Sequence, residues 1–505
     1  MRITNNMMIK NTAANINGNK GNVLDLNNQM ASQKKIQRPS QDPVIAIRAL
    51  RLRTSLSKIN QYYEKNIPDV QTWFENTETS LKNMNKILTD IRTQCVNGTN
   101  SYLTQDDRKT ILSALTALKS QIYGEGNSDN AGRTVFTGYK TNSQLTFMED
   151  EAETSYKITQ SFSYKDIEEY TYYSGSIEVP TTLTEVQDTT KICEIDKDNF
   201  DRIRLAYDDL KEDDFSVSYT IDGTTTEDAP VTIYASEEEW AAADPNGKNI
   251  KQVGENEIIF IQNTGDVIFG SAISQELKSG RATIDIDYQK EGFAKGELRP
   301  EYYYNCTDVS DAANPIEYTR YDENGKKIYE DINYTVALNQ TITVNMQADE
   351  VFDMSIYQDV VELTDAVSDA INAHDKLDRL KLMKEEAQYV DHQEEIQAWI
   401  DAAQKEADYA DNRLTELYSA GIGNFDNYMS KLNQAYTEVG ARGEQLEMIE
   451  ARLSNQQLVT EELKSTNEDK EISDIIIEYT AAYNAYTASL MASSKINQQT
   501  LLNYI

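Results

Sequence analysis

From Val44 to about Gln94, apolar side chains recur every three or four residues. The series runs Ala49, Leu52, Leu56, Ile59, Tyr63, Val70, Trp73, Met84, Ile87 and Ile91, with Asn66, Thr77 and Ser80 at intervening positions. That spacing holds one seam on a single side of a helix. Arg48, Arg51, Arg53, Lys58, Glu64 and Lys65 fall off the seam, on a face expected to be solvated. One stripe of this length cannot bury itself and needs a partner. A second stripe lies far downstream: Phe425, Tyr428, Leu432, Ala435, Val439, Arg442, Leu446, Ile449, Leu453, Gln456, Thr460 and Leu463. Together the two predict an antiparallel helical rod that brings both chain ends to one place. Pro68 predicts a kink or a break in the first helix, because it removes one backbone donor.

The segments around these stripes follow other patterns. Residues 1–38 are rich in Asn, with Gly18 and Gly21 inside a thin apolar pattern, and are expected to be weakly helical or disordered until they meet a partner. Arg38-Pro-Ser-Gln-Asp-Pro43 is a proline-bracketed turn in which Ser40 or Asp42 caps the next helix and Pro43 opens it. Asn97-Gly98 ends that element, and Thr104 caps another with Ile111, Leu115, Leu118 and Ile122 on one face. Beyond about Thr134 the period becomes two. Ser155–Ser163, Phe215–Ile221, Glu257–Ile261, Ala282–Tyr288 and Tyr334–Val344 read as strands, with turns at Asp222-Gly223, Asn263-Thr-Gly265 and Asn324-Gly325. Helix returns near Met354 and bends at Asp391–Glu395. A last helix presents Ile472, Ile476, Tyr479, Tyr483, Tyr486 and Leu490, and the chain closes on Leu501-Leu-Asn-Tyr-Ile505.

The predicted class is α+β: a long antiparallel coiled-coil rod from the two ends, a β-rich insert and an extra helical stretch. The expected division is a terminal arm at 1–38, rod at 39–140, β insert at 141–350, added helices at 351–423, rod helix at 424–465 and terminal helix at 466–505. Expected packing and assembly positions are Leu52, Leu56, Ile59, Leu446, Ile449, Leu453, Ile476, Tyr483, Leu490, Leu501, Leu502 and Ile505.

Charge narrows the partners. Lys+Arg 48 against Asp+Glu 84 gives −36 over 505 residues, which disfavours nucleic acid and anionic membrane. Residues 1–123 hold 17 Lys/Arg and 9 Asp/Glu, a balance of +8 that leaves −44 for the remainder. A basic beginning and an acidic remainder favour each other. Cys95, Cys193 and Cys306 are too scattered for a disulfide framework or a metal site. The opening MRITNNMMIKNTAAN lacks the apolar core of a secretory signal, and no apolar run approaches a membrane span.

Chemistry is hard to find. His374 and His392 both sit in charged helical stretches and are expected on the solvated surface. Neither belongs to a metal-binding HExxH pattern, and no phosphate loop, dinucleotide fingerprint or nucleophile elbow is present. Asp196-Lys-Asp198 begins like a calcium loop but lacks its glycine. Tyr170–Tyr173 and Tyr302–Tyr304 are expected on half-buried strands. No catalytic, cofactor or metal residue is assigned.

MRITNNMM, Arg38-Pro-Ser-Gln-Asp-Pro43, Ala131-Gly-Arg-Thr-Val-Phe-Thr-Gly-Tyr-Lys-Thr141 and the ending Ser493–Ile505 together resemble the flagellin superfamily. The double Met at 7–8, the F-x-G-Y-K-T motif and Ile332-Asn-Tyr-Thr-Val-Ala-Leu-Asn-Gln-Thr341 resemble its hook–filament junction branch more than its filament subunits. Gln41 departs from the family turn, where an acid is usual. The resemblance covers roughly 1–141 and 424–505, is faint near 332–352, and is absent from the rest of the insert. It implies termini that order on assembly, export through the flagellar channel without a cleaved signal, and an extracellular structural role with no substrate. Implied partners are the first hook-associated protein, flagellin, further copies of the chain in a ring, and an export chaperone before secretion. The alternatives are a filament flagellin and a surface adhesin acting through the β insert.

Overall fold

The structure is a computed structural model that describes residues 5–100, 103–212, 214–244, 249–322 and 325–498. The long helices are α1 (Asn5–Ser32), α2 (Pro43–Gln61), α3 (Ile67–Gly98), α4 (Gln105–Lys119), α5 (Ser355–Glu385), α6 (Gln393–Glu468) and α7 (Ile472–Gln498). The principal strands are β1 (Glu151–Ser163), β2 (Glu168–Ser174), β3 (Asp196–Arg204), β4 (Ser216–Ile221), β5 (Thr224–Thr226), β6 (Val231–Tyr234), β7 (Ile258–Ile261), β8 (Asp266–Phe269), β9 (Thr283–Phe293), β10 (Asn305–Asp308), β11 (Ile316–Tyr318), β12 (Asn333–Ala337) and β13 (Gln340–Thr343). The chain is α+β, as the change of period predicts. It divides into a terminal unit (Met1–Gln71, Tyr334–Ile342, Gly443–Ile505) and a central unit (Thr72–Asn333, Thr343–Arg442).

In the terminal unit, α2 lies antiparallel to the last part of α6. Asn60 meets Gln457 at 3.1 Å, and Asn467 donates to the Ile45 carbonyl at 3.1 Å. Leu56, Leu446, Ile449 and Leu453 are buried. Asp42 caps α2 by accepting from Val44 and Ile45, with Pro43 in the first turn. The proline effect takes the form of a π turn at Tyr62–Asn66, in which the Ile67 N–H reaches the Tyr62 carbonyl. Widening the helix just before Pro68 relieves the clash its ring makes with the preceding turn.

In the central unit, α3 runs antiparallel to α6. Arg92 pairs with Asp426 at 2.6 Å, Asn85 with Asn433 at 2.9 Å, and Glu78 with Tyr436 at 2.6 Å. Val70 aside, which belongs to the terminal unit, the seam of α3 is buried at Trp73, Thr77, Ser80, Met84, Ile87 and Ile91. Gly98, the last residue of α3, leaves no room for a side chain: a Cβ there would sit 2.2 Å from the ring of buried Tyr418.

Two sheets follow. One has six strands in the order β11-β10-β1-β9-β4-β5, the other five in the order β2-β3-β8-β7-β6, with β6 and β7 parallel and the other pairs antiparallel. Alternation works as the pattern predicts: Ile284, Ile286 and Tyr288 of β9 are buried while Thr283, Asp285 and Asp287 face water. A common core includes Ile158, Ile203, Val217, Phe260 and Ile286. A separate cluster joins Leu377, Ile396, Trp399 and Ala403 of α5 and α6 to Ile177, Val186 and Ile195 of the insert. Buried Arg202 of β3 bonds Asp266 at 3.1 Å and Glu362 of α5 at 3.2 Å, and Arg204 pairs with Asp359. Burial pushes the Glu362 carboxyl up, but the guanidiniums of Arg202 and Arg204 outweigh it and hold it down to about 2.

Several expectations are corrected. Residues 5–32 are helical despite their Asn and Gly, because α1 has a helical partner within the chain. Tyr334–Val344 is a hairpin rather than one strand, turning at Asn339 with φ 57. Asp196-Lys-Asp198 opens β3. His374 and His392 are half-buried: His374 lies 3.0 Å from Asp411, and His392 lies 3.1 Å from Gln187. Gln456 and Leu463 of the second stripe are exposed, so its buried seam stops at Leu453. The turn at Asn324-Gly325 falls partly outside the described residues.

Candidate assembly surface

α1 and α7 pair antiparallel through matched seams. On α1 the half-buried positions Thr12, Ile16, Asn19, Val23, Leu26 and Met30 alternate by four and three. On α7 they are Ile475, Tyr479, Ala482, Tyr486 and Ser489, with Ile475 fully buried. Cα atoms of the two helices come within 8 Å of each other. Weak intrinsic propensity is thus offset by packing.

The pair springs from a joint where α1–α2 and α6–α7 meet. Lys35 N–H donates to the Glu468 carbonyl at 2.7 Å, and Lys470 N–H to the Gln33 carbonyl at 3.0 Å. Gln33, between α1 and α2, adopts φ 55. Arg53 grips Glu468 in bidentate fashion at 2.7 and 2.6 Å, and Lys34 pairs with Asp469. The Arg53 contact holds the Glu468 carboxyl below its ordinary value, and Lys34 does the same for Asp469. Gln41, at the position where the turn departs from the family pattern, accepts from the Gln37 and Arg38 N–H groups at 2.7 and 3.1 Å. A neutral amide oxygen satisfies those donors without an acid.

The expected positions divide into three sets. Leu56, Leu446, Ile449 and Leu453 are buried, with Leu52 and Ile59 half-buried. Ile476, Tyr483 and Leu490 stand exposed at 48%, 52% and 43%. Leu501, Leu502 and Ile505 lie outside the described residues. The seam that meets α1 was partly missed, since Ile475 and Ala482 are one residue from the expected stripe. Their signal is the run of small residues, Ala482, Ser489 and Ser493, at the same spacing as Ile475. α7 is left with a bare stripe beside its packed one: Ile472, Ile476, Tyr483 and Leu490. α2 likewise exposes Val44, Ile47 and Leu50.

No group of His, Cys, Asp or Glu among the described residues could hold a metal, and none of the described helices is long and apolar enough to cross a membrane. Residues 3–141 match a family model described as the bacterial flagellin N-terminal helical region. Over 147 residues it is 29% identical to flagellar hook-associated protein 3 of Salmonella typhimurium, covering 28% of this chain and 44% of that protein. Over 143 residues it is 26% identical to flagellar hook-associated protein 3 of Escherichia coli, covering 28% and 44%. The chain thus spans less than half the length of these relatives. Among solved structures it is similar to a flagellar junction protein, FlgL, from Legionella pneumophila, at 11% identity, covering 84% of this chain and 100% of that one, with a TM-score of 0.29. For FlgL from Xanthomonas campestris the figures are 11%, 82%, 99% and 0.27. Likeness at these scores carries no argument. Within the matched residues lie α1, α2, α3 and α4, which supply the first seam and one side of the joint.

Proposed function

We propose that this chain is a structural subunit of the bacterial flagellum, placed at the hook–filament junction and acting by packing rather than catalysis. The observation that carries this reading is the bare apolar stripe on α7 beside the seam that pairs with α1. A free monomer gains nothing from such a surface, whereas a tube of side-by-side copies buries it. The flagellin-type N-terminal region and the relatives named flagellar hook-associated protein 3 support the junction assignment. In this reading 1–38 and 466–505 build the assembly core, 39–140 and 351–465 the surrounding rod, and 141–350 projects outward. The partners are the first hook-associated protein on one side, flagellin on the other, and neighbouring copies in a ring. An export chaperone would shield the bare stripes before passage through the flagellar channel, and the final location is outside the cell.

Immuno-electron microscopy of an epitope-tagged chain on flagellated cells tests the placement. A single band at the hook–filament boundary is expected. Label along whole filaments would replace the junction role with that of a filament subunit.

A further inference from the structure

The inward row of β9 runs Ile284, Ile286, Tyr288 and Lys290, all buried. The first three belong to the common core, and a strand alternating by two calls for another apolar residue at the fourth place. A lysine stands there instead, with its side chain 4% exposed. Its Nζ donates to the Asp208 backbone carbonyl at 2.7 Å and lies 3.4 Å from Asp208 Oδ1. Asp208 is its one ion-pair partner among the described residues, and the Phe293 ring lies 5.9 Å from the same nitrogen. The loop from β3 to β4 that carries Asp208 is fixed on both sides. Leu205 N–H donates to the Gly265 carbonyl at 2.9 Å, Leu210 N–H to Gln262 at 2.9 Å and Lys211 N–H to Gln289 at 3.0 Å. Amine and carboxyl are thus held together by the backbone around them.

A second carboxyl completes the arrangement. Glu297 and Asp208 line one cavity of about 30 Å³, together with Tyr207, Leu298 and Met354. That volume has room for a single water molecule. Glu297 Oε2 accepts from the Ala294 N–H at 3.0 Å, which fixes its carboxyl. Burial pushes that carboxyl above its ordinary value, and the charge of Asp208 adds to the effect against the opposing pull of Lys290. An enclosed amine, a carboxyl beside it and an acid held toward its neutral form are the groups an amide-forming step requires. We propose that Lys290 and Asp208 join in an intramolecular isopeptide bond, with Glu297 as the proton shuttle. Glu297 hands its proton to Asp208 and takes one back from the Lys290 ammonium. The freed Nζ lone pair attacks Cγ of Asp208. The Cγ–OH bond then breaks with its electron pair, and a second proton from the nitrogen, relayed by Glu297, leaves with that hydroxyl as water. An amide replaces one ammonium and one carboxylate, Glu297 ends as it began, and nothing is oxidised or reduced. The bond ties the β3–β4 loop to β9.

Mass spectrometry of the denatured full-length protein reads the bond directly. The wild-type chain should weigh about 18 Da, one water, less than its sequence requires. Fragment spectra should place the loss on a branched peptide joining Asp208 to Lys290. Lys290→Met and Asp208→Ala remove one partner each and should show the full mass. Glu297→Gln keeps the size of the side chain and an acceptor for Ala294, yet cannot carry the proton, and should also show the full mass. Unchanged far-ultraviolet circular dichroism verifies that the variants fold. A wild-type chain at full mass overturns the proposal. So does a loss of water that persists in Lys290→Met, which assigns it to an imide at another aspartate. Loss of the water in Glu297→Gln as complete as in wild type overturns the shuttle. If Lys290→Met does not fold, the presence or absence of the branched peptide in the wild type decides alone. The microscopy of the junction is untouched by any of these results.

Discussion

The central unit hides its large side chains and the terminal unit displays them. Phe136, Phe147, Phe260, Phe269, Trp240 and Tyr288 are all fully buried in the central unit. Most of the exposed large apolar residues belong to the terminal unit, although it is the shorter of the two. Their ion pairs differ in the same sense. Arg202 of the central unit is enclosed with its acids, whereas Arg53 of the terminal unit is more than half exposed on one side of its bridge. One unit finishes its core alone. In the proposed reading the other is half of an interface, and its stability and its function are to be sought in different residues.

The largest effect should come from breaking the enclosed pair. Arg202→Ala leaves Asp266 buried without its cation and Glu362 with Arg204 alone, and should cost about 3–5 kcal/mol. Scanning calorimetry should show the central transition moved down and the terminal one in place. A common shift of both would erase the distinction between the units.

Neighbouring isoleucines on α7 give a sharper contrast. Ile475→Ala empties a packed site and should destabilise the α1–α7 pair by about 2–5 kcal/mol. Ile476→Ala, one residue on, should change monomer stability by no more than about 0.5 kcal/mol yet impair filament growth in a complementation assay. Equal effects of the two on thermal unfolding would mean that the stripes have been assigned to the wrong sides.

Gly98→Ala forces a methyl against the Tyr418 ring and should cost about 1–3 kcal/mol. Chemical denaturation checks it, and the double variant with Tyr418→Leu should recover most of the loss.

Acid should produce the smallest change. Glu468 and Asp469 titrate below their ordinary values, so their contribution is complete above about pH 5 and fades as pH falls through their depressed pKa values. Lys34 titrates above its ordinary value and loses its part only in strong alkali. With Arg53 so open to solvent, the bridge contributes no more than about 1 kcal/mol. Hydrogen-exchange protection in α1 and α7, corrected for the intrinsic pH dependence of amide exchange, should fall between about pH 5 and pH 2, while that of the central sheets holds.

Where the sequence was legible, one physical rule acted alone. The stripes from Trp73 to Ile91 and from Phe425 to Leu453 each have a single apolar side, so spacing named their buried faces. α7 defeated the same rule because it is apolar on two adjacent sides, and spacing cannot say which of them meets α1. β3 was hidden by its charged beginning, since Asp196 and Asp198 stand half-exposed or exposed while Ile203, near its far end, is buried. The meeting of Lys290 with Asp208 was invisible for another reason. The two stand 82 positions apart, and only the fold brings them together.

The joint between α1–α2 and α6–α7 also decides how the molecule carries load. Its two backbone bonds, from Lys35 to Glu468 and from Lys470 to Gln33, tie the base of α1 to the base of α7. A pull along the paired helices therefore loads those bonds and the Arg53 clamp together, in shear, instead of peeling them apart one after another. A torque passed through either chain end is shared with the other at its root.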